Sequence, residues 1–210
     1  MILHGYWRSG AAYRTRIALN LKGLVYEQAG VDLRTGAQRS AAFVALNPQG
    51  MVPALSVDGA LLTQSPAILE WLEEAHPAPA LLPKNALDRA HVRAMSALIG
   101  CDIHPLNNLR VGKALRETFG ADQAAVDAWA ARWIMPGFEA LEALVGRHGG
   151  GWCFGDAPTF ADCYLIPQIY SARRFNVPLA AFPGLLAVDA AAAQHPAFVA
   201  AHPDAQPDAG

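Results

Sequence analysis

Three prolines close together, Pro77, Pro79 and Pro83, divide this chain into two parts that cannot share one continuous element. Proline lacks a backbone N–H and fixes φ, so residues 76–84 can be neither an unbroken helix nor an inner strand. The stretch reads as a linker, and the chain differs in kind on its two sides. Before it, short apolar runs alternate with helical periodicity; after it, the sequence is alanine-rich and helical in character. With 210 residues the chain suits two small domains, and these are expected at 1–80 and 85–210.

Met1 to Tyr6 reads as a strand that runs into the Arg8-Ser9-Gly10 turn. From Ala11 to Lys22, Ile17, Ala18 and Leu21 recur at helical spacing, Arg14, Arg16 and Lys22 supply the polar side, and Gly23 stops the helix. Tyr26 to Leu33 is a second strand and Ser40 to Leu46 a short helix. Strand, helix, strand predicts a parallel crossover. Pro53, at the mouth of the Met51–Val57 strand, calls for a sheet edge or a cis peptide, and cis is expected. Asp58-Gly59 is a hairpin turn into Ala60–Gln64. Ser65-Pro66 then places a capping hydroxyl before a proline at the first position of a helix reaching about Ala75. The order βαβαββα is that of a thioredoxin-like domain.

Beyond the linker, helical periodicity covers Asp88–Leu115, interrupted at Pro105, and Asp122–Val145. Thr159-Phe160-Ala161-Asp162 has capping-box spacing, and one more helix lies near Leu185–Ala193. The expected fold is therefore an α/β thioredoxin-like N-terminal domain followed by an all-α C-terminal domain.

Composition excludes several function classes. Apolar residues make up 53% and charged residues 16%, which is core-forming material and argues against disorder. A net charge of −2 gives no reason to expect a nucleic-acid or membrane partner. Cys101, Cys153 and Cys163 lack metal-type or redox-type spacing, so three buried apolar thiols and no metal site are expected. No basic region followed by an apolar stretch opens the chain and no long apolar run follows, so the expected location is the cytoplasm.

Two constellations carry chemistry. Ser9 lies where the first helix opens, so free N–H groups and the helix dipole would stabilise a thiolate there, and its hydroxyl could donate to sulfur. A serine at a helix start is also an ordinary cap, and position alone favours that reading. Val52, before an unusual proline, can offer its backbone to an extended peptide. Gln64-Ser65, at another helix start, offers N–H groups and a hydroxyl to a carboxylate. Together they would hold a small anionic peptide.

Across nearly its whole length the chain resembles the zeta class of the glutathione transferase family. The resemblance rests on Tyr6-Trp7-Arg8-Ser9-Gly10-Ala11-Ala12-Tyr13-Arg14-Thr15-Arg16-Ile17-Ala18-Leu19, Asn47-Pro48-Gln49 with Val52-Pro53, and Gln64-Ser65-Pro66-Ala67-Ile68. In the second half it rests on Cys101-Asp102-Ile103-His104-Pro105-Leu106-Asn107-Asn108 and on Pro167-Gln168 with Ala172-Arg173-Arg174-Phe175. It implies glutathione as coenzyme, a homodimer, and Ser9 as the residue that activates the glutathione thiol. It further implies Gln38, Gln49, Val52, Gln64, Ser65, His104 and Asn108 as glutathione-binding positions. Arg8, His104, Arg110 and Arg174 are implied to hold a dicarboxylic keto-acid substrate, with Arg8 catalytic beside Ser9. In many members the motif runs serine, serine, cysteine; here Ser9, Gly10 and Ala11 stand in those places. No mechanism that needs a side-chain thiol two residues past Ser9 applies to this chain.

The implied activity is glutathione-dependent cis–trans isomerisation of a maleyl keto-acid. Maleylacetoacetate, of aromatic amino-acid breakdown, is the first choice and maleylpyruvate, of gentisate breakdown, the alternative. A conjugating transferase for apolar electrophiles or a non-catalytic glutathione-binding protein is the reading from another class.

Overall fold

The computed structural model describes residues 1–209, which cluster into two compact units, residues 1–80 with 193–209 and residues 81–192. The first unit begins β1 (Ile2–Gly5), α1 (Gly10–Leu21), β2 (Glu27–Gly30), α2 (Ala41–Leu46), β3 (Ala54–Val57), β4 (Ala60–Thr63) and α3 (Ser65–Ala75). The strands form one sheet in the order β2-β1-β3-β4; β1 and β2 are parallel and the other pairs antiparallel. This is the predicted thioredoxin-like order. Asp58 (φ 49°) and Gly59 (φ 79°) are both left-handed, as a two-residue hairpin between Val57 and Ala60 requires. β3 is an inner strand, so Pro53 just before it is not an edge residue, and the Val52–Pro53 peptide is cis.

α1 departs from its expected polarity. Arg14 and Arg16 are 3% and 1% exposed, and every residue from Ala12 to Leu19 is buried. Residues two apart on a helix point about 200° away from each other, so these two arginines cannot share one solvent face. Lys22 is buried as well, with Nζ 2.6 Å from Glu73 Oε2 and donating to the Pro79 carbonyl at 2.7 Å. At the start of α3 the cap is Gln64 rather than Ser65, which is the first helical residue.

In the second unit, α4 (Ala86–Ala97) passes into a π-helical turn (Leu98–Ile103) and a 3₁₀ turn (His104–Leu106) before α5 (Leu109–Phe119). The single interruption expected at Pro105 is thus a remodelled segment spanning several residues. α6 (Gln123–His148), α7 (Phe160–Arg174) and α8 (Pro183–Ala192) complete the unit. Asn85, Asn108 and Asp122 cap their helices with side-chain oxygens, and the Thr159–Asp162 capping box forms as expected. The core gathers Met95, Ile99, Ile134, Phe138, Leu165, Ile169 and Phe182, with Phe138 edge-on to Phe182 at 5.6 Å.

Cys153 and Cys163 are buried, whereas Cys101 is exposed, correcting the expectation of three buried thiols. Cys101 lies in the π turn, whose buried residues are Ile99 and Ile103. Burial and the neighbouring Asp162 carboxylate push the Cys153 thiol well up, so it stays protonated and inert. Among the described residues, no helix is long and apolar enough to cross a membrane and no side-chain cluster is suited to a metal ion.

The chain then returns to the first unit, where α9 (Pro196–Ala201) packs along α1. Residues 193–209, expected with the helical half, therefore belong with the sheet. The reason is tertiary. α9 covers a side of α1 that local periodicity cannot identify as buried.

Candidate active site

Three segments of the first unit meet at an apolar cluster of Tyr6, Val31, Phe43 and Val52, against which Trp7, Leu33 and Ala37 pack. The cluster joins the loop carrying Arg8 and Ser9, the segment carrying Gln38, and the approach to β3 at Val52.

Ser9 is the N-cap of α1, and its Oγ accepts the Ala12 N–H at 3.3 Å. Its own N–H closes a turn onto the Tyr6 carbonyl at 2.9 Å. Capping uses Oγ as an acceptor, which leaves the hydroxyl proton to donate elsewhere. Cap and donor are therefore compatible roles for one side chain. Arg8 sits beside it with its guanidinium 5.3 Å from the centre of the Trp7 ring, a cation–π arrangement that holds the cation at the loop.

The loop before β3 is built by Asn47, which stands out in the sequence only within the Asn47-Pro48-Gln49 motif. Buried to 3% exposure, it donates from Nδ2 to the Met51 carbonyl at 2.7 Å and accepts the Gln49 N–H at 3.2 Å. Gly50 is left-handed (φ 62°), and a Cβ there would lie 3.0 Å from the Gln38 carbonyl oxygen. Glycine thus lets the Gln38 and Gln49 segments approach closely. Gln64 Nε2 donates to Gln49 Oε1 at 2.6 Å. Gln64 itself is held at φ 67°, ψ 110°, a sparsely populated conformation for a residue with a side chain. Such strain costs about 1–3 kcal/mol and gathers at ligand-clamping positions.

Ser65 is buried, and its Oγ accepts from Arg14 Nη1 at 2.9 Å. Arg14 is a residue the sequence reading missed. The available signal was the two-residue spacing of Arg14 and Arg16, which puts them on opposite sides of α1. Arg14 ties α1, five residues past Ser9, to the first turn of α3.

The remaining candidates lie in the second unit. His104 begins the 3₁₀ turn and is half-buried, Asn108 caps α5 by accepting the Val111 N–H at 3.3 Å, and Arg110 is exposed one residue into that helix. Arg174 is exposed at the last residue of α7, where a cation complements the helix dipole.

The donor set of the first unit fits glutathione, a peptide with one thiol and two carboxylates. Two helix N-termini offer N–H groups and a positive dipole, at Ser9 and at Ser65. Gln38 Oε1, Trp7 Nε1 and Tyr6 Oη are buried with no hydrogen-bond partner among the described residues, which marks polar groups awaiting one at the same cluster.

Comparison with known proteins agrees. The model of the glutathione S-transferase N-terminal domain matches residues 8–75 and that of the C-terminal domain residues 123–200. A maleylpyruvate isomerase of Ralstonia sp is 55% identical over 210 residues, covering 99% of each chain. The holo structure of a maleylpyruvate isomerase, described as a bacterial glutathione S-transferase of the zeta class, superposes with a TM-score of 0.98 at 54% identity over all of both chains. A maleylacetoacetate isomerase of Anaeromyxobacter dehalogenans, solved with glutathione in the active site, gives 0.90 at 48% identity over 100% of this chain and 97% of its own. With both family domains matched and full-length relatives at this identity, the chain belongs to the glutathione S-transferase family, in its zeta class.

Proposed function

We propose that this protein is a glutathione-dependent cis–trans isomerase of a maleyl keto-acid. The observation that carries the reading is Ser9 at the N-terminus of α1 with Arg8 beside it, in a chain whose full-length relatives are named as isomerases of this kind. Bound glutathione supplies a thiol sulfur that can add to an activated double bond and leave again, so that it is not consumed. Ser9 donates its hydroxyl proton in a hydrogen bond to that sulfur, and the α1 terminus adds its dipole. A hydrogen bond to a charged group contributes about 1.5–3 kcal/mol and a helix terminus up to about 2. Together they lower a thiol pKa by about two units, each unit being about 1.4 kcal/mol.

Gln49 and Gln64, already bonded to each other, orient the peptide amides with the Val52 backbone. Ser65, with the first turn of α3, receives a carboxylate. Gln38 completes this shell. Arg8 anchors the substrate's acid group and stabilises charge that develops beside it. The same reading assigns His104 and Asn108 to glutathione, and His104, Arg110 and Arg174 to the substrate's carboxylates. It also takes the active molecule to be a homodimer in the cytoplasm, acting in aromatic catabolism. α5 supports the dimer, since none of its side chains is buried and it exposes Leu109 and Phe119.

Maleylacetoacetate is the first substrate, as for the Anaeromyxobacter enzyme. Maleylpyruvate is the second reading, favoured by the 55% identity to the Ralstonia isomerase. Both cis acids should be assayed with glutathione present and omitted. Glutathione-dependent turnover of at least one is expected, with Arg8→Met lowering kcat/KM about 30- to 1000-fold and Arg8→Lys recovering part of it. Turnover of neither acid alongside efficient conjugation of an uncharged electrophile would overturn the isomerase in favour of a conjugating transferase.

A further inference from the structure

The loop that carries Arg8 and Ser9 is a turn closed by one hydrogen bond, from the Ser9 N–H to the Tyr6 carbonyl. That bond leaves the N–H and C=O of Trp7, in the middle of the turn, without partners inside the turn. Both are satisfied from outside. The Trp7 N–H donates to Asp208 Oδ2 at 2.9 Å, and the Trp7 carbonyl accepts from Arg16 Nη2 at 2.9 Å. Arg16 lies seven residues past Ser9, two helical turns along the same side of α1, and helical side chains lean toward the N-terminus. Its Nε donates to the Ala201 carbonyl at 3.0 Å, so the guanidinium bridges the loop and the end of α9.

The C-terminal tail is itself anchored. Asn20 Nδ2 donates to the Ala197 carbonyl at 3.0 Å, and the Tyr13 and His202 rings meet edge-on at 6.0 Å. Buried Gln206 donates from Nε2 to the carbonyls of Ala200 (2.9 Å) and His202 (2.6 Å), and its Oε1 accepts from Gln28 of β2 at 2.8 Å. Asp208 follows that anchor by two residues. A cavity of about 150 Å³ lies between Gly5, Gln28, Ala29, Gly30, Pro207 and Asp208. Pro207 and Asp208 line this space and do not fill it, so the polar bonds carry much of their seating.

We propose that the C-terminal tail is a positioning element for the active-site turn, with Asp208 and Arg16 as positioning residues that hold the backbone N–H and C=O of Trp7 and thereby aim Ser9. The inference rests on the assignment of Ser9 to the glutathione thiol. Asp208 acts through the Trp7 N–H, not by contact with glutathione or substrate. Released from the tail, the turn would sample other orientations, and the Ser9 hydroxyl would spend less time in line with the sulfur.

The test uses the full chain, Asp208→Ala, Asp208→Asn and a chain lacking residues 207–210. Amide hydrogen exchange is followed without ligand, and the thiol of bound glutathione is titrated by thiolate absorbance. In Asp208→Ala and the shortened chain, exchange at residues 7–9 is expected to rise about tenfold, as for loss of one hydrogen bond to a charged acceptor. Exchange in α3 and α6 stays at the parental level. The thiol titration moves to higher pH, and Asp208→Asn, which keeps an acceptor oxygen, restores most of both. Unchanged exchange at 7–9 would overturn the proposal. So would a general loss of protection, or looser exchange at 7–9 with an unmoved thiol titration, since each makes the tail merely structural. Neither measurement needs the keto-acid substrate. A parent that turns over neither cis acid removes the isomerase reading and leaves this one standing.

Discussion

At the scale of single residues, Ser9 shows how one atom serves fold and chemistry together. Its oxygen caps α1 while its proton remains to be donated. Replacing Ser9 by alanine is expected to lower isomerase turnover ten- to a thousandfold, about the effect of losing one preorganised donor at about 2–4 kcal/mol. Glutathione affinity should fall less, and the pH dependence of the rate should shift upward; steady-state kinetics across pH measure both. An unmoved pH profile would reduce Ser9 to a cap. His4 offers a second residue-scale outcome. Its Nε2 lies 2.9 Å from Ser56 Oγ, its ring meets Phe43 edge-on at 6.4 Å, and burial lowers its pKa below 6.5. The unfolded chain then binds more protons than the folded one below the ordinary value, so the contribution of His4 to stability is present above pH 6.5 and is lost as pH falls through the depressed folded value. Urea midpoints at pH 7.5 and 5.5 should differ more in the parent than in His4→Gln.

At the scale of elements, the start of α7 gathers several buried polar contacts on one carboxylate. Asp162 is fully buried; Oδ1 accepts the Cys153 N–H at 2.8 Å, and Oδ2 accepts the Thr159 N–H at 2.7 Å and hydroxyl at 2.9 Å. Burial pushes its carboxyl up, and these donors pull it back toward the ionised form. Asp162→Ala strands several buried donors at once and should cost about 3 kcal/mol or more, measured by urea unfolding at unchanged m. Asp162→Asn, retaining one acceptor oxygen, should cost less. The capping box was legible in Thr159-Phe160-Ala161-Asp162 because its partners are three residues apart. The Cys153 contact was not, since nothing in a helix-start motif says which loop will lie across it.

At the scale of the whole molecule, the apolar residues left exposed set an expectation about assembly. Val25, Leu87, Leu109 and Phe119 are 92%, 66%, 57% and 77% exposed. Clustered large apolar groups on a surface mark interaction sites when they are contiguous, and α5 carries two of these four with no buried residue of its own. A homodimer is expected by sedimentation velocity at micromolar concentration, and Phe119→Glu should shift the equilibrium toward monomer. A wild-type monomer under those conditions would remove the dimer from the functional reading.

What the sequence determined by itself is the part encoded between near neighbours. The βαβαββα order, the Asp58-Gly59 hairpin, the cis peptide before Pro53, the Pro-punctuated linker and the caps at Ser9 and Thr159 depend on backbone sterics and hydrogen bonds within a few residues. That Ser9, Gln64 and Ser65 stand at helix starts was legible for the same reason, whereas Gln49 was singled out only by the family resemblance. Tertiary structure alone decided the burial of Arg14 and Arg16, the exposure of Cys101, the Gln49–Gln64 hydrogen bond, and the return of residues 193–209 to the first unit. The Arg16–Ala201 and Trp7–Asp208 hydrogen bonds join residues 185 and 201 positions apart. Such pairs leave no periodic trace in either local segment, because burial depends on which distant surface arrives to cover a side chain, and that is settled only when the whole chain has closed on itself.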